Sequence, residues 1–173
     1  MKELILGGVR SGKSRYAEHC ARESKLSVVY VATATAGDTE MSARIRAHQE
    51  RRPAAWALVE TPRALAATLR AHAAPGRCIL VDCLTLWLTN LLCADDEAGF
   101  CTERAALLDI LPNLPGHIIL VSNETNMGVA PLGELTRRYC DEAGCLHQEL
   151  AAVCDRVVLA VAGLPLFLKG TTT

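Results

Sequence analysis

Residues 7 to 14 carry the first pattern that could do chemistry, a glycine-rich loop ending in lysine and serine. The segment follows the apolar run Leu4-Ile5-Leu6 and fits the phosphate-loop pattern G-x-x-x-x-G-K-[ST] at every fixed position. Glycines let successive backbone N–H groups turn toward an anion, the lysine reaches the outer phosphates, and the serine hydroxyl is placed to hold Mg²⁺. We therefore predict that a nucleoside triphosphate binds to eight residues, Gly7, Gly8, Val9, Arg10, Ser11, Gly12, Lys13 and Ser14.

An acidic residue closes a second apolar run, Cys78-Ile79-Leu80-Val81-Asp82. A carboxylate at the carboxyl end of a strand is the second element of phosphate-loop enzymes, where it holds the Mg²⁺ shell beside the loop hydroxyl. The sequence thus predicts Ser14 and Asp82 as Mg²⁺ ligands. Asp82 is also a candidate cap for the helix that we expect from Leu84.

A cationic segment lies between these two motifs, at residues 40 to 53. On a helix, Arg44, His48, Arg51 and Arg52 share one side, because they are spaced by four, seven and eight residues. Such a face is usually solvated, and a single imidazole among arginines does not by itself indicate catalysis. From the residues alone, the role of His48 stays open.

Alternating apolar and amphipathic segments must position these residues. Apolar runs rich in β-branched residues predict strands at 2–6, 27–34, 57–60, 77–82, 117–122, 156–162 and 165–168. Helical periodicity predicts helices at 13–24, 40–51, 62–73, 84–92, 103–111 and 132–154. Continuous apolar strands separated by helices predict an α/β fold, phosphate-loop NTPase-like, with a mostly parallel central sheet and helices on both faces. We expect residues 1–173 to form a single domain.

Local signals refine the helix boundaries. Thr61 and Pro62 predict the cap and the first position of the helix over 62–73. The acidic stretch 95–99 is typical of a loop. Gly144 predicts a break or an adjustment inside the last helix.

Charge and length exclude several classes of protein. The chain has 173 residues and a formal net charge of −1 at pH 7, so it lacks the basic excess of a general nucleic-acid binder. No apolar stretch reaches the roughly 18 residues that span a bilayer, and the amino-terminal run leads into the phosphate loop, which is not the pattern of a signal peptide. We expect a cytoplasmic protein with no nucleic-acid partner and no stable membrane insertion.

Eight cysteines raise the question of a metal site or of disulfides. None forms C-x-x-C, and no histidine lies at finger-like spacing from a cysteine pair. Cys140 and Cys145, the nearest to a pair, are expected to be small core residues. In a cytoplasmic chain the thiols should stay reduced.

Beyond the single motifs, an ordered set of residues along the chain resembles one family. The set comprises residues 7–15, Tyr30-Val31-Ala32-Thr33, Glu40-Met41, Arg44-Ile45, His48, Arg52-Pro53, Asp82-Cys83-Leu84-Thr85, Thr89-Asn90-Leu91-Leu92, Ser122-Asn123-Glu124, Met127-Gly128, Pro131, Gly144, Gln148 and Leu150-Ala151. It resembles the bifunctional adenosylcobinamide kinase/adenosylcobinamide-phosphate guanylyltransferases, from Leu4 to Lys169. The phosphate loop alone would not separate this family from other kinases, whereas the ordered set does.

The resemblance implies two reactions in the assembly of the cobalamin nucleotide loop. The family phosphorylates the aminopropanol hydroxyl of adenosylcobinamide with ATP or GTP. It then transfers GMP from GTP to that phosphate, which gives adenosylcobinamide-GDP and pyrophosphate. The family's GMP-carrying histidine matches His48, and a neutral imidazole is a competent nucleophile toward phosphorus. Family members assemble as homotrimers, so a trimer is the expected assembly.

The resemblance also implies further nucleotide contacts. One group, after the second strand, is Ala32, Thr33 and Ala34, and a second group, after the nucleophile, is Gln49, Glu50, Arg51 and Arg52. The remaining two contacts are Glu60 and Asp82 at the ends of two other strands. Arg51 and Arg52 would neutralise phosphate charge, as Mg²⁺ and the catalytic Lys13 would. For Glu60 and Asp82, the choice among guanine, ribose and metal stays open.

The chain departs from the family's usual pattern at Thr125-Asn126, where Val-Gly is usual, at Ala130, which separates Val129 from Pro131, and at His147. Asn126 stands where a glycine is usual, which suits a left-handed backbone because asparagine adopts it more readily than most residues. His147 stands where an asparagine is usual. The loop 122–131 follows a strand at the sheet edge where ligands bind, so we expect it to take part in the active site.

Other functions stay open at this level. A different phosphate-loop kinase of small molecules or nucleotides would use the loop for direct transfer, with His48 incidental. A GTP-binding switch module is disfavoured, because the sequence has no Asn-Lys-x-Asp motif for guanine. A structural or interaction protein would leave the phosphate loop unexplained.

Overall fold

The computed structural model describes residues 1–35 and 53–171, and within these ranges a central sheet packs against five α-helices. The strands are β1 (Lys2–Gly7), β2 (Ser27–Ala32), β3 (Ala57–Glu60), β4 (Arg77–Asp82), β5 (His117–Asn123), β6 (Arg156–Val161) and β7 (Leu164–Lys169). The helices are α1 (Lys13–Glu23), α2 (Leu65–His72), α3 (Leu84–Leu92), α4 (Glu97–Ile110) and α5 (Glu134–Val153). The helix predicted over residues 40–51 lies outside the described residues.

The strands form one sheet in the order β3-β2-β4-β5-β1-β6-β7. Every neighbouring pair is parallel except β6 and β7, which form an antiparallel hairpin. Parallel neighbours need crossover connections, which the helices supply. The predicted α/β fold with a mostly parallel sheet is confirmed.

Apolar side chains cover both faces of the sheet. The larger cluster packs α2 to α5 against one face, around the fully buried Trp87. The smaller cluster packs α1 against the other face through Ala17 and Ala21, with Trp56 and Phe167 at its margin. Burial on both faces explains why the strands are continuous apolar runs in the sequence.

Helix α2 begins at residue 65, later than the predicted residue 62. Two side chains of α3 donate hydrogen bonds to backbone carbonyl groups that precede α2. Nε1 of Trp87 donates to the carbonyl of Arg63 at 2.7 Å, and Nδ2 of Asn90 donates to the carbonyl of Pro62 at 3.1 Å. Thr61 is buried and does not occupy the cap position. The predicted cap is therefore wrong, because tertiary hydrogen bonds hold this segment as a turn.

Two other helices also differ from the sequence-based boundaries. Helix α4 begins at Glu97, inside the stretch predicted as a loop, because the Asp96 side chain caps it by accepting from Gly99 N–H at 2.9 Å. Helix α5 runs unbroken through Gly144. A Cβ at this position would lie 2.7 Å from Nδ2 of Asn126. Glycine serves close packing here and does not break the helix.

All eight cysteines are free thiols. Cys140 is partly buried on α5, whereas Cys145 is exposed, so the expectation of a core residue is wrong for Cys145. Within residues 1–35 and 53–171, no group of three or more His, Cys, Asp or Glu side chains is placed to hold a metal ion.

Over the same ranges, no helix combines the length and apolar character needed to cross a membrane.

Candidate active site

The phosphate loop lies at the carboxyl edge of the sheet, where the chain reverses its winding direction. From β1 the chain runs through α1 on one face toward β2, and from the neighbouring β5 it runs through α5 on the other face to β6. Connections that leave adjacent strands in opposite directions open a crevice at their carboxyl ends, which is where ligands of open α/β sheets bind. This crevice lies between the register partners Gly7 and Asn123.

The backbone of the phosphate loop adopts left-handed conformations. Arg10 has φ 57° and Gly12 has φ 96°, and the N–H of Ser11 donates to the carbonyl of Gly8 at 3.2 Å. A Cβ at Gly12 would lie 2.9 Å from Cα of Gly163. Position 12 therefore requires glycine for its dihedral angle and for space. Left-handed residues within such a loop turn successive N–H groups to one side, as anion binding needs.

The turn between β6 and β7 supports the phosphate loop. Ala162 and Gly163 have φ 52° and 83°, like the two central residues of a type I′ hairpin turn. The N–H of Gly163 donates to the carbonyl of Ser11 at 2.9 Å. A Cβ on Gly7 would lie 2.8 Å from the carbonyl oxygen of Ala160. Backbone contacts with β6 and this turn thus maintain the shape of the loop.

Lys13 begins α1, with its ammonium group turned back onto the loop. Its Nζ donates to the carbonyl of Gly8 at 3.1 Å. Partial burial lowers the pKa of Lys13, and the nearby Asp82 carboxylate acts in the opposite direction. The hydroxyl of Ser11 is buried and has no hydrogen-bond partner among the residues that the structure describes. A buried hydroxyl without a partner in an anion-binding loop is a donor that a ligand can use.

Three neighbouring strands end in register at this edge. Ala32 pairs with Glu60 on one side and with Asp82 on the other. The hydroxyl of Tyr30 donates to Oδ2 of Asp82 at 3.0 Å. The cap position of α3 is Cys83, without a side-chain hydrogen bond. The alternative prediction that Asp82 caps this helix is therefore wrong, and its carboxylate is oriented from β2 instead.

Thr33 ties β2 to the turn that follows Asp82. Its fully buried hydroxyl donates to the carbonyl of Cys83 at 2.6 Å and accepts from the Cys83 N–H at 3.0 Å. Asn90 of α3 donates to the carbonyl of Thr33 at 2.8 Å. The hydroxyl of Thr33 is thus engaged by backbone, and the neighbouring Ala34 is partly buried beside it.

The residues at this edge fit a Mg²⁺ ion. Ser14 of α1 and Asp82 of β4 supply a hydroxyl and a carboxylate. Mg²⁺ prefers such oxygen donors and keeps several waters and substrate phosphates as its other ligands. Burial lowers the pKa of Lys13, and the nearby carboxylate of Asp82 offsets part of this effect, so its charge acts on the phosphate loop.

An open pocket of about 430 Å³ adjoins the phosphate loop. Residues 8–11 form one wall, residues 159–162 form a second, and Glu124 and Met127 from the segment after β5 complete it. The volume is typical of sites for small molecules. Glu124 contributes the carboxylate of this lining and Arg10 its cation.

Sequence reasoning missed a polar cluster beside this pocket, formed by Ser122, Glu124 and His147. Nε2 of the buried His147 lies 2.8 Å from Oγ of Ser122, and its Nδ1 lies 3.9 Å from Oε2 of Glu124. Burial lowers the pKa of His147, whereas the Glu124 carboxylate raises it. The available signal in the sequence was a histidine on the same helix face as the buried Leu146 and Leu150.

The structure explains Asn126 differently from the sequence-based expectation. Its φ is not positive, so the backbone at this position does not need the left-handed conformation for which asparagine would be suited. Its backbone N–H donates to Oε1 of Glu124 at 2.7 Å, and its Nδ2 donates to the carbonyl of Cys140 at 2.9 Å. The amide side chain therefore bridges the loop to α5, and this contact is the physical reason for asparagine at this position.

The other predicted site residues lie outside the described ranges. They are the nucleophile candidate and the four residues that follow it, His48, Gln49, Glu50, Arg51 and Arg52. The structure therefore brings together the phosphate loop, the ends of β2, β3 and β4 and the segment after β5.

Comparison with known proteins agrees with this arrangement. The family model described as cobinamide kinase / cobinamide phosphate guanyltransferase matches residues 3–168. The chain is 65% identical over 170 residues to the bifunctional adenosylcobalamin biosynthesis protein CobP of Pseudomonas aeruginosa, covering 98% of each chain. It is 38% identical over 182 residues to the corresponding protein CobU of Salmonella typhimurium, covering 98% of this chain and 100% of that protein.

Solved structures show the fold alone. A RadB recombinase aligns with a TM-score of 0.52 and 17% identity, over 91% of this chain and 73% of that chain. A protein of Pyrococcus horikoshii aligns with a TM-score of 0.54 and 10% identity, over 99% of this chain and 87% of that chain.

Proposed function

Because this chain belongs to the cobinamide kinase / cobinamide phosphate guanyltransferase family, we propose that its phosphate loop serves both reactions of that family in turn. The chain is a bifunctional cobinamide kinase and guanylyltransferase of adenosylcobalamin biosynthesis. The phosphate loop supports the proposal, since left-handed Gly12, the Lys13 ammonium group and the Ser11 hydroxyl meet at the switch point of the sheet. A single phosphate-binding site can serve both reactions, because each begins with a nucleoside triphosphate that is held by its phosphates.

In the first reaction, the aminopropanol hydroxyl of adenosylcobinamide attacks the γ-phosphorus of ATP or GTP. The new O–P bond forms while the bond from the γ-phosphorus to the bridging oxygen breaks, and the hydroxyl proton is released. Lys13 and the N–H groups of the loop stabilise charge on the phosphate oxygens. Ser14 and Asp82 would hold Mg²⁺, which would supply further positive charge at the phosphates.

In the second reaction, His48 takes up GMP from GTP. A neutral imidazole nitrogen attacks the α-phosphorus and pyrophosphate leaves, after which an oxygen of adenosylcobinamide phosphate displaces the histidine and forms adenosylcobinamide-GDP. This route divides one displacement into two easier ones. Arg51 and Arg52 neutralise phosphate charge, while Gln49 and Glu50 add nucleotide contacts. These assignments rest on the family resemblance and on the chemistry of the side chains.

The ends of β2 and β3 are proposed to contact the nucleoside. Ala32 lies between Glu60 and Asp82 at the same sheet edge, and Ala34 follows two residues later. A nucleotide that extends along this edge from the phosphate loop would meet these residues. Thr33 contributes by holding Cys83, and through it the backbone next to Asp82.

Incubation with α-labelled GTP and Mg²⁺, without cobinamide, is expected to leave acid-labile GMP on the protein. Mass spectrometry of the labelled peptide should place the adduct on His48. γ-labelled GTP serves as the control and should leave no label, because the γ-phosphate departs with pyrophosphate. An adduct on another residue, or no adduct in protein that makes adenosylcobinamide-GDP, contradicts the histidine route.

We also propose that the chain forms a homotrimer in the cytoplasm, as the family resemblance implies. Edge strand β7 supports an assembly, since Leu164, Leu166 and Leu168 are 71%, 54% and 57% exposed. Alternation places Leu164 and Leu166 on one face, and Leu168 follows at a register shift in the pairing with β6. Exposed apolar side chains that lie together mark interaction surfaces. Light scattering should give three times the chain mass of 18.6 kDa. The mass of a single chain at micromolar concentration would contradict the trimer.

A further inference from the structure

We infer that Glu124 accepts the proton of the attacking hydroxyl in the phosphorylation step, and that His147 and Ser122 position its carboxylate. The inference rests on the proposed function, because it concerns the acceptor side of the kinase reaction. It assigns a role to a buried cluster that the phosphate loop and the histidine route leave unused.

Glu124 lies at the wall of the pocket that adjoins the phosphate loop. Its backbone N–H donates to the carbonyl of Gly7 at 3.0 Å, so the residue is anchored to the first glycine of the loop. Its side chain is 17% exposed, which leaves the carboxylate within reach of a molecule in the pocket. A hydroxyl that approaches a bound γ-phosphate through this pocket meets a carboxylate on its wall.

Both carboxylate oxygens of Glu124 are oriented by neighbours. Oε1 accepts the N–H of Asn126 at 2.7 Å, and the Asn126 side chain is tied to the carbonyl of Cys140 at 2.9 Å. Oε2 faces Nδ1 of His147 at 3.9 Å. A base held in one orientation by such contacts loses little entropy when the substrate arrives.

One tautomer of neutral His147 gives both ring nitrogens a partner. Burial lowers the pKa of His147, which favours the neutral ring. In this tautomer the buried hydroxyl of Ser122 donates to Nε2 across 2.8 Å, and the single ring proton resides on Nδ1. Nδ1 is buried and has no hydrogen-bond partner among the described residues, so its N–H is available to Oε2 of Glu124. Catalytic contacts that are long in a free enzyme shorten in the substrate complex. A neutral N–H orients the carboxylate without adding a positive charge that would weaken it as a base.

The two reactions differ in their need for a base. In the first reaction, the substrate O–H bond breaks and its proton moves to Oε2 of Glu124. The hydroxyl oxygen forms a bond to the γ-phosphorus, and the bond from the γ-phosphorus to the bridging oxygen breaks. The nucleoside diphosphate leaves with the electrons of that broken bond. Glu124 then returns the proton to solvent through the open pocket. In the second, the acceptor is a phosphate monoester, which is largely ionised at neutral pH because its second pKa is about 6. The contribution of Glu124 is therefore confined to phosphorylation.

The test is the Glu124→Gln variant, assayed separately for each reaction. Glutamine preserves the shape of the side chain but cannot take up the proton, so kcat for phosphorylation should fall by about 10²-fold. The KM for adenosylcobinamide should change by less than about threefold, as should guanylyl transfer to supplied adenosylcobinamide phosphate. Glu134→Gln, which removes an exposed carboxylate at the beginning of α5, is the matched control and should alter neither rate.

The positioning role of His147 has its own readout. His147→Leu should lower kcat for phosphorylation by about tenfold with little change in KM. His147→Asn places an amide N–H near the former Nδ1 and should recover most of this loss. Loss of packing alone would not distinguish the two reactions and would not be rescued in this way.

Each outcome decides the inference. Full phosphorylation by the folded Glu124→Gln variant, or an equal loss of both reactions, overturns the role of Glu124 as the base. If Glu124→Gln fails to fold, Glu124→Asp keeps a carboxylate and must retain more phosphorylation than Glu124→Ala, or the inference is wrong. Wild-type protein that does not phosphorylate cobinamide would instead refute the proposed function.

Discussion

A His48→Asn variant is expected to lose guanylyl transfer by at least about 10³-fold while it still phosphorylates cobinamide. The amide nitrogen of asparagine has its lone pair delocalised into the carbonyl group, so it cannot form the bond to the α-phosphorus that an imidazole nitrogen forms. Phosphorylation is direct transfer from the triphosphate to the hydroxyl and does not need this nucleophile. Two rates are measured. One is the formation of adenosylcobinamide phosphate, and the other is the formation of adenosylcobinamide-GDP from supplied adenosylcobinamide phosphate.

The control for this substitution is His19→Asn, which replaces an exposed histidine on α1. It should leave both rates within about twofold of wild type, as surface changes away from a site normally do. GMP that still becomes bound to the His48→Asn protein, with guanylyl transfer retained, would show that another residue is the nucleophile.

The phosphate loop and much of the sheet were predictable because their signals are local. The strands at 57–60 and 77–82 and the helix at 84–92 have their predicted bounds in the structure. Each of these two strands ends at an acidic residue, Glu60 or Asp82, and such a boundary is visible without knowledge of the neighbours.

Boundaries that depend on distant partners were not predictable. The cap expected at Thr61 is absent because Trp87 and Asn90, more than twenty residues away, bind the carbonyls of Arg63 and Pro62. Gly144 has the sequence character of a helix breaker, yet its role is to admit the side chain of Asn126. In these cases tertiary contacts override a local propensity.

The cluster around Glu124 was hidden for the same reason. Ser122 lies in β5 and Glu124 follows the strand directly, whereas His147 lies on α5, after a loop and three turns of helix. Their spacing follows no motif, and the 2.8 Å contact between His147 and Ser122 exists only because α5 packs across the strand. The sequence predicted that the loop 122–131 lies at the edge of the sheet where ligands bind, but it did not predict that His147 packs against this loop.

A Lys13→Met variant is expected to lose both reactions, each by about 10³-fold. Methionine keeps most of the apolar stem but has no charge to place on the outer phosphates, and both reactions depend on the triphosphate held there. Lys25→Met, an exposed lysine beyond the end of α1, is the matched control and should leave both rates unchanged. The decisive comparison is between phosphorylation and the yield of GMP on the protein from α-labelled GTP. If phosphorylation disappears while the GMP adduct forms at the wild-type rate, the GTP that reacts with His48 is bound elsewhere. The proposal that one phosphate-binding site serves both reactions is then wrong. Parallel loss of the two signals, with an unchanged melting temperature, is the result that a single phosphate site requires.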